Sequence, residues 1–448
     1  MDGRKLTVGQ KLGFGIFDLG GNMLFTLMGF WCLHYLTDVA GLGASLAGIA
    51  VMIGKGWDAV TDPVMGFISD RTISPLGRRR PYLLAGALPV MLALWLFFTA
   101  PGISNQIMLM LWAAGTLMLV NTASTIISVP YSSLTPELTG DYHERTSLNG
   151  YRFGCAVFGT LIGGALVGPL AGAFGGGGRG WSMMGLSLGA VIMTVTLLTF
   201  FGTREKLHTR DERPTGRFFP TYRAVFTNKP YVILFVGYAL HMAAITFLQG
   251  ILAYYMDYLY PFTLELPGLD HTTIAMLVLL LTAMVCIPVS VGVSKKIGKK
   301  KTYQICFVII GSACMLVASI GHLLPPPLFL LLLAYAGAGV GFSYVAPFAM
   351  VPDTVEFDAV KTGERKEGAY YGMWTLVSKT GAALSMLLTG FILKWGGYRA
   401  NHVQDPRALG AIRLIIGPLP AFFFLIALLV IRSYPLDEGT YKKLTGQR

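Results

Sequence analysis

An all-α membrane protein of twelve transmembrane helices is what three features of the 448-residue sequence predict. Hydrophobic residues make up 54% and charged residues only 13%, against roughly 25% charged in an average soluble protein. Asp, Glu, Lys and Arg are absent from 81–136, 180–203, 230–256, 271–294, 302–352 and 414–431. The chain also repeats short motifs at about half its length. So little charge does not cover a soluble surface, which excludes a soluble enzyme, a disordered chain and a fibrous repeat. A net charge of +12 in so apolar a chain reads as positive loops on one side of a bilayer, not as nucleic-acid binding.

Runs of 18 or more uncharged, mostly apolar residues are long enough to cross the hydrocarbon core as helices. The first span, 12–36, carries Asp18 and lacks a small-residue cleavage site, so it does not read as a signal peptide. The second, 43–69, carries Lys55, Asp58 and Asp62. Pro101-Gly102 splits the next stretch into 82–100 and 105–133. Span five, 150–173, is rich in glycine (Gly150, Gly154, Gly159, Gly163, Gly164, Gly168, Gly172), which lets helices approach closely. Span six is 180–203, and seven and eight are 230–256 and 271–294. Pro325-Pro326-Pro327 separates 302–321 from 327–350, and 369–395 and 409–431 complete the set. The expected organisation is a six-helix bundle at 1–203, a charged, proline-containing cytoplasmic linker at 204–228, and a second bundle with a tail at 229–448.

With both termini on one side, 27 of the 35 Lys and Arg residues fall there, so both termini are expected in the cytoplasm, the chain spanning the cell (inner) membrane. Five cysteines lie in apolar stretches with no metal-ligand spacing and read as small core residues. No phosphate-binding glycine loop is present, so no ATP drives the protein directly.

The repeat is visible in three places. Gly77-Arg-Arg-Arg-Pro-Tyr82 corresponds to Gly298-Lys-Lys-Lys-Thr-Tyr303, an offset of 221. Val129-Pro130, read as the end of helix four, corresponds to Val351-Pro352, read as the end of helix ten; a polar loop with Glu144-Arg145 or Glu364-Arg365 follows each. Tyr35-Leu-Thr-Asp38 corresponds to Tyr254-Tyr-Met-Asp257. A duplicated six-helix unit in parallel orientation describes the major facilitator architecture.

Ionisable side chains are costly inside a bilayer and mark function by default. Here they are Asp18, Lys55, Asp58, Asp62, Arg152 and Lys379. Asp58 and Asp62 lie four apart on one helix face, with Lys55 on the same stripe. Two carboxylates on one face in low dielectric repel unless a cation or a proton joins them. That is the electrostatic requirement for a coupling-ion site, and Thr61 and Thr125 add hydroxyls suited to Na⁺. The competing reading is a structural pair neutralised by Lys55 and Arg152. Asp18, Asn22, Arg152 and Lys379, with Ser128 and Thr375 as weaker helpers, offer hydrogen bonds to a polar solute; the alternative is that the charges only gate by pairing. Tyr344, Tyr370, Tyr371 and Trp374 offer a flat apolar wall, although taken singly each reads as a helix-packing residue. His34 and His241 read as packing histidines.

Trp57-Asp58-Ala-Val-Thr61-Asp62-Pro63, Asp70-Arg71-Thr72, Gly77 to Tyr82, Pro130-Tyr131-Ser-Ser-Leu134-Thr-Pro-Glu137, Glu144-Arg145, Tyr151-Arg152, Val351-Pro-Asp353-Thr-Val355 and Lys379 together resemble the glycoside–pentoside–hexuronide:cation symporters. The resemblance covers nearly the whole chain. It implies that Asp58 and Asp62, with Thr125, hold Na⁺, Li⁺ or H⁺, and that Asp18, Arg152, Lys379 and Tyr344 meet the sugar. Thr61 stands where melibiose permeases carry Asn. Ser128 and Ser132 replace a second sugar-binding acid and a tryptophan, which weakens the case for a galactoside. Sodium-dependent lysolipid symporters of the same superfamily also lack that acid. The resemblance further implies a cytoplasmic clasp in the 70–80 loop, so Asp70, Arg71 and Arg78, with Lys55, are candidate gating residues. The function expected is cation-coupled symport of a sugar or glycoside by a monomer that needs no cofactor. A lysolipid carrier and a non-transporting receptor or scaffold are the alternatives.

Overall fold

The computed structural model describes residues 6–138, 142–203, 225–262, 269–362 and 367–436. Most of the expected linker, 204–224, and the Glu364-Arg365 pair lie outside these. Among the described residues there are twelve long helical runs and no strand. They are α1 (Val8–Phe30), α2 (Ala44–Arg71), α3 (Arg80–Phe97), α4 (Gln106–Leu138), α5 (Tyr142–Ala165) and α6 (Gly177–Gly202). Then come α7 (Lys229–Tyr258), α8 (His271–Ile297), α9 (Lys299–Ser319), α10 (Pro326–Thr362), α11 (Glu367–Trp395) and α12 (Pro406–Arg432). Ten are long and apolar enough to cross a membrane, and α5 joined to its continuation Val167–Ala173, bent by 56°, makes an eleventh. The twelfth is α2. It has 28 residues, but Lys55, Asp58 and Asp62 dilute its apolar character.

The chain divides into two compact units, Met1–Pro214 with Glu265–Thr273, and Thr215–Leu264 with Ile274–Arg448. In unit 1, α1 packs on α5, α2 on α4 and α3 on α6. In unit 2, α9 packs on α10 and α12, and α7 on α11 and α12. Local chemistry sets the ends. Thr7 and Gln10 form a reciprocal capping box that starts α1. Asn228 caps α7 through its side chain, with Pro230 in the first turn. Gly77 (φ +101°) and Gly298 (φ +86°), equivalent in the repeat, both occupy the left-handed region that glycine tolerates, just before α3 and α9.

The tightest seam joins α1 to α5. A Cβ on Gly159 would lie 2.0 Å from the Leu19 carbonyl oxygen, and one on Gly163 2.1 Å from that of Met23. Only hydrogen at those positions lets the two backbones meet.

Two expectations are corrected. Val129-Pro130 and Val351-Pro352 do not end their helices: α4 runs on to Leu138 and α10 to Thr362. Hydropathy marks where the hydrocarbon ends, not where the backbone stops being helical. At Pro352 the missing N–H weakens the local ladder, and Lys299 Nζ donates to the nearby Ala349 carbonyl at 2.9 Å. All five cysteines are free, three of them buried. His241 is buried among Tyr238, Tyr303, Phe307 and Phe424, with its Nδ1 2.9 Å from the Tyr303 hydroxyl.

Candidate functional site

On α2, Asp58 and Asp62 stand one helical turn apart, both half-buried. From α4, the buried Thr125 hydroxyl donates to Asp62 Oδ1 at 2.8 Å. Asp58 Oδ1 is shielded from solvent. The two helices are tied together above this point. Asn121 Nδ2 donates to the Gly54 carbonyl at 2.7 Å, and Trp57 Nε1 to the Thr122 hydroxyl at 2.9 Å. A Cβ on Gly54 would sit 2.7 Å from Leu117 Cβ, so glycine lets α4 lie flat against α2. Thr61 Oγ donates to the Trp57 carbonyl at 3.3 Å, which leaves its oxygen lone pairs as acceptors. The arrangement is two carboxylates and two hydroxyls along one face, a set of hard oxygens suited to a small monovalent cation. Among the described residues no group of three or more His, Cys, Asp or Glu side chains converges to hold a metal. Lys55 lies on the same helix, half-buried.

Asp18, on α1, is gripped from two helices. Arg152 of α5 donates Nε to Oδ2 at 2.6 Å and Nη2 to Oδ1 at 3.3 Å, a two-pronged contact. Tyr131 of α4 donates its hydroxyl to the same Oδ2 at 2.5 Å, with the Phe14 carbonyl 3.1 Å from the same hydroxyl oxygen. The Tyr131 ring packs on Phe14 and Phe17, and the guanidinium lies 5.0 Å from its centroid. Asn22 donates one amide N–H back to the Asp18 carbonyl at 2.9 Å, which leaves its second N–H and its oxygen for a solute. Ser128 is half-buried on α4, one turn from Tyr131.

In unit 2, Tyr344, Tyr371 and Thr375 are exposed and Lys379 is half-buried. The wall of four aromatics needs correction. Trp374 is buried and stacks on Tyr238 with centroids 3.8 Å apart. Tyr370 is fully buried, its carbonyl held by the Tyr231 hydroxyl at 2.7 Å and its hydroxyl by Asn228 at 2.9 Å. Both belong to the unit's core because the helix that exposes Tyr371 turns its neighbours inward.

At the cytoplasmic loop expected to form the clasp, Asp70 pairs with Arg79 at 2.7 Å. Arg71 instead covers the Phe67 ring at 3.4 Å, and Arg78 is half-buried in the loop. Arg80 donates to the Phe200 carbonyl at 2.9 Å and so ties the loop to α6. In unit 2, Lys299 pairs with Asp353 at 2.7 Å. Sequence reasoning missed Tyr131 and Arg79. The signal for Tyr131 was present: Thr125, Ser128 and Tyr131 recur every three residues, a polar stripe on an apolar helix.

A family model described as MFS/sugar transport protein matches residues 13–438. The uncharacterized symporter YnaJ of Bacillus subtilis is 30% identical, over 99% of this chain and 95% of its own. The isoprimeverose transporter of Lactiplantibacillus pentosus is 27% identical, over 97% of this chain and 90% of its own. The sodium-dependent lysophosphatidylcholine symporter 1-A of Danio rerio is 26% identical, over 97% and 87%. Among solved structures, a mutant of the nucleoside transporter NupG superposes with a TM-score of 0.67 at 14% identity, covering 95% of this chain and 99% of that one; at that identity it shows the fold. With the family model spanning nearly all of the chain, and the charged helix-two and helix-five residues held in one unit, the chain belongs to the MFS/sugar transport family, the glycoside–pentoside–hexuronide:cation symporters, and is a multi-pass membrane transporter rather than an enzyme.

Proposed function

We propose that this symporter couples the movement of a glycoside or related sugar to that of one monovalent cation, Na⁺ or H⁺, held by Asp58 and Asp62 with Thr61 and Thr125. The observation that carries the reading is the Thr125 hydroxyl on Asp62 at 2.8 Å, with Asp58 one turn away. A cation or a proton there removes the repulsion of the two carboxylates. Ion and solute then each raise the other's affinity by the same factor. Asp18, Arg152 and Asn22 in unit 1, with Ser128 beside them, meet the solute hydroxyls; in unit 2 Tyr344, Thr375 and Lys379 do so, with Trp374 bracing from the core. Each stripped hydroxyl left unpaired costs roughly 1–3 kcal/mol, which is why a sugar calls for so many directional partners. The protein works as a monomer in the cell's inner membrane with both termini in the cytoplasm. The halves 1–203 and 229–448, joined by 204–228, are the moving bodies. Lys55, Asp70, Arg71 and Arg78, with Arg79, act in gating. A scaffold that had lost transport would have no use for these membrane-embedded charges.

The test is solute accumulation and binding with Asp58→Asn and Asp62→Asn. Both variants insert and fold, since Asn is nearly isosteric, and both lose cation-dependent accumulation while downhill exchange persists. Normal ion-dependent accumulation by both would refute the site. A binding screen with and without Na⁺, over glycosides, hexuronides and short lysolipids, separates the substrates. Sugar binding that tightens with the cation and vanishes in Asp18→Asn supports the sugar. Saturable lysolipid binding with no sugar response replaces it by an amphiphile.

A further inference from the structure

One cation in unit 2 has no role in the transport reading. Arg413 stands on α12, seven residues from its start at Pro406, about 10 Å along the helix. It lines a groove of about 330 Å³ between α9 and α12, with Met315, Ala318 and Ser319 on one side and Gly410 and Leu414 on the other. Ser319 is the last residue of α9, whose first residues are Lys299 to Lys301. The groove therefore lies at the membrane face opposite that basic loop. Its rim is apolar and open: Met315 and Leu414 are 47% and 43% exposed. On helices that cross a bilayer, such side chains face lipid.

An arginine near a helix end usually snorkels into water. Here Nε of Arg413 is shielded from solvent and has no acceptor among the described residues. Next to it, burial and then the positive charge of Arg413 push the His322 imidazole below its ordinary pKa. That neighbour stays neutral and supplies no counter-charge. Among the described residues no anion pairs with this guanidinium, and the apolar, lipid-facing trough beside it offers space for a chain.

We propose that this groove is a binding site for an anionic phospholipid, whose phosphate pairs with Arg413 and whose acyl chain lies along Met315 and Leu414. Guanidinium recognises phosphate through two parallel N–H donors, and the apolar walls take the tail. The site is distinct from the residues proposed to meet cation and solute, so it stands or falls separately from that reading.

The experiment is native mass spectrometry of the purified full-length protein with added phosphatidylglycerol, phosphatidylcholine or glycerol phosphate. Unaltered protein retains phosphatidylglycerol in preference to phosphatidylcholine, and excess glycerol phosphate does not displace it. Arg413→Gln lowers retention roughly tenfold, the loss of about 1.4 kcal/mol in binding, and Arg413→Lys restores part of it. A Cβ at Gly410 meets nothing within 4 Å, so Gly410→Leu folds, fills the trough and lowers retention with Arg413 intact. Equal retention by Arg413→Gln and the unaltered protein overturns the proposal, as does full retention by Gly410→Leu. Equal affinity for phosphatidylcholine, or displacement by glycerol phosphate, overturns it too, the latter in favour of a soluble phosphate site.

Discussion

In a bilayer-spanning helix the Asp18 carboxylate is held by two donors, Tyr131 and Arg152, that differ in what their loss leaves behind. Removing Tyr131's hydroxyl takes away one of several bonds to the carboxylate; removing Arg152 strands the charge. Tyr131→Phe is therefore expected to cost about 1 kcal/mol of stability, and Arg152→Ala about 3–5 kcal/mol, with Arg152→Lys between them because a lysine cannot form the two-pronged contact. Thermal unfolding in detergent ranks the three; an Arg152→Ala as mild as Tyr131→Phe would mean the carboxylate is not held by charge. Asp18 and Arg152 were legible in the sequence because an ionised residue inside an apolar run stands out by cost alone. Tyr131 carried a weaker signal, its place on the polar stripe with Thr125 and Ser128, and was passed over because a tyrosine is as much at home packing as donating. Trp374 was misread for the same reason, because aromatic identity does not say which way a helix turns the ring.

Among the helices, α5 shows how composition becomes distance. In an exposed helix Gly→Ala gains up to about 1 kcal/mol. Gly154→Ala, where an added Cβ meets nothing within 4 Å, should follow that rule. Gly163→Ala should break it, destabilising by roughly 1–3 kcal/mol, because the methyl would meet the Met23 carbonyl at 2.1 Å. Melting curves of the two variants, opposite in sign, are the check; matching signs would mean the seam yields freely. The glycines were visible in the sequence, but which of them face a neighbour depends on the rotation of α5 against α1. Charge-free runs marked eight of the spans, and α2 was drawn at 43–69 despite Lys55, Asp58 and Asp62. The extensions of α4 and α10 beyond Pro130 and Pro352 escaped the reading because proline weakens a helix without always ending it.

At the scale of the whole chain, the charge bias predicts orientation: reporter fusions after Gly202 and after Arg432 should both read cytoplasmic, and one after Phe174 should read the other side. A reversed pattern would overturn the topology. The repeat was legible because the same positive-φ glycine precedes the basic triplet in each half, a backbone requirement that survives where side chains diverge. The partners of Asp70 and Asp353 were not, since Asp70 at the end of α2 is held from the loop that follows it and Asp353 from a different helix. The grip on Asp18 also has a consequence in time. Arg152 follows Asp18 by 134 residues. At the usual elongation rate of about 5–20 residues per second, the ribosome needs roughly 7–27 seconds to make the intervening chain. For that interval the first helix holds a carboxylic acid with no guanidinium yet made to answer it. The nascent helix must wait without that partner until the fifth helix emerges and the glycine seam closes on it.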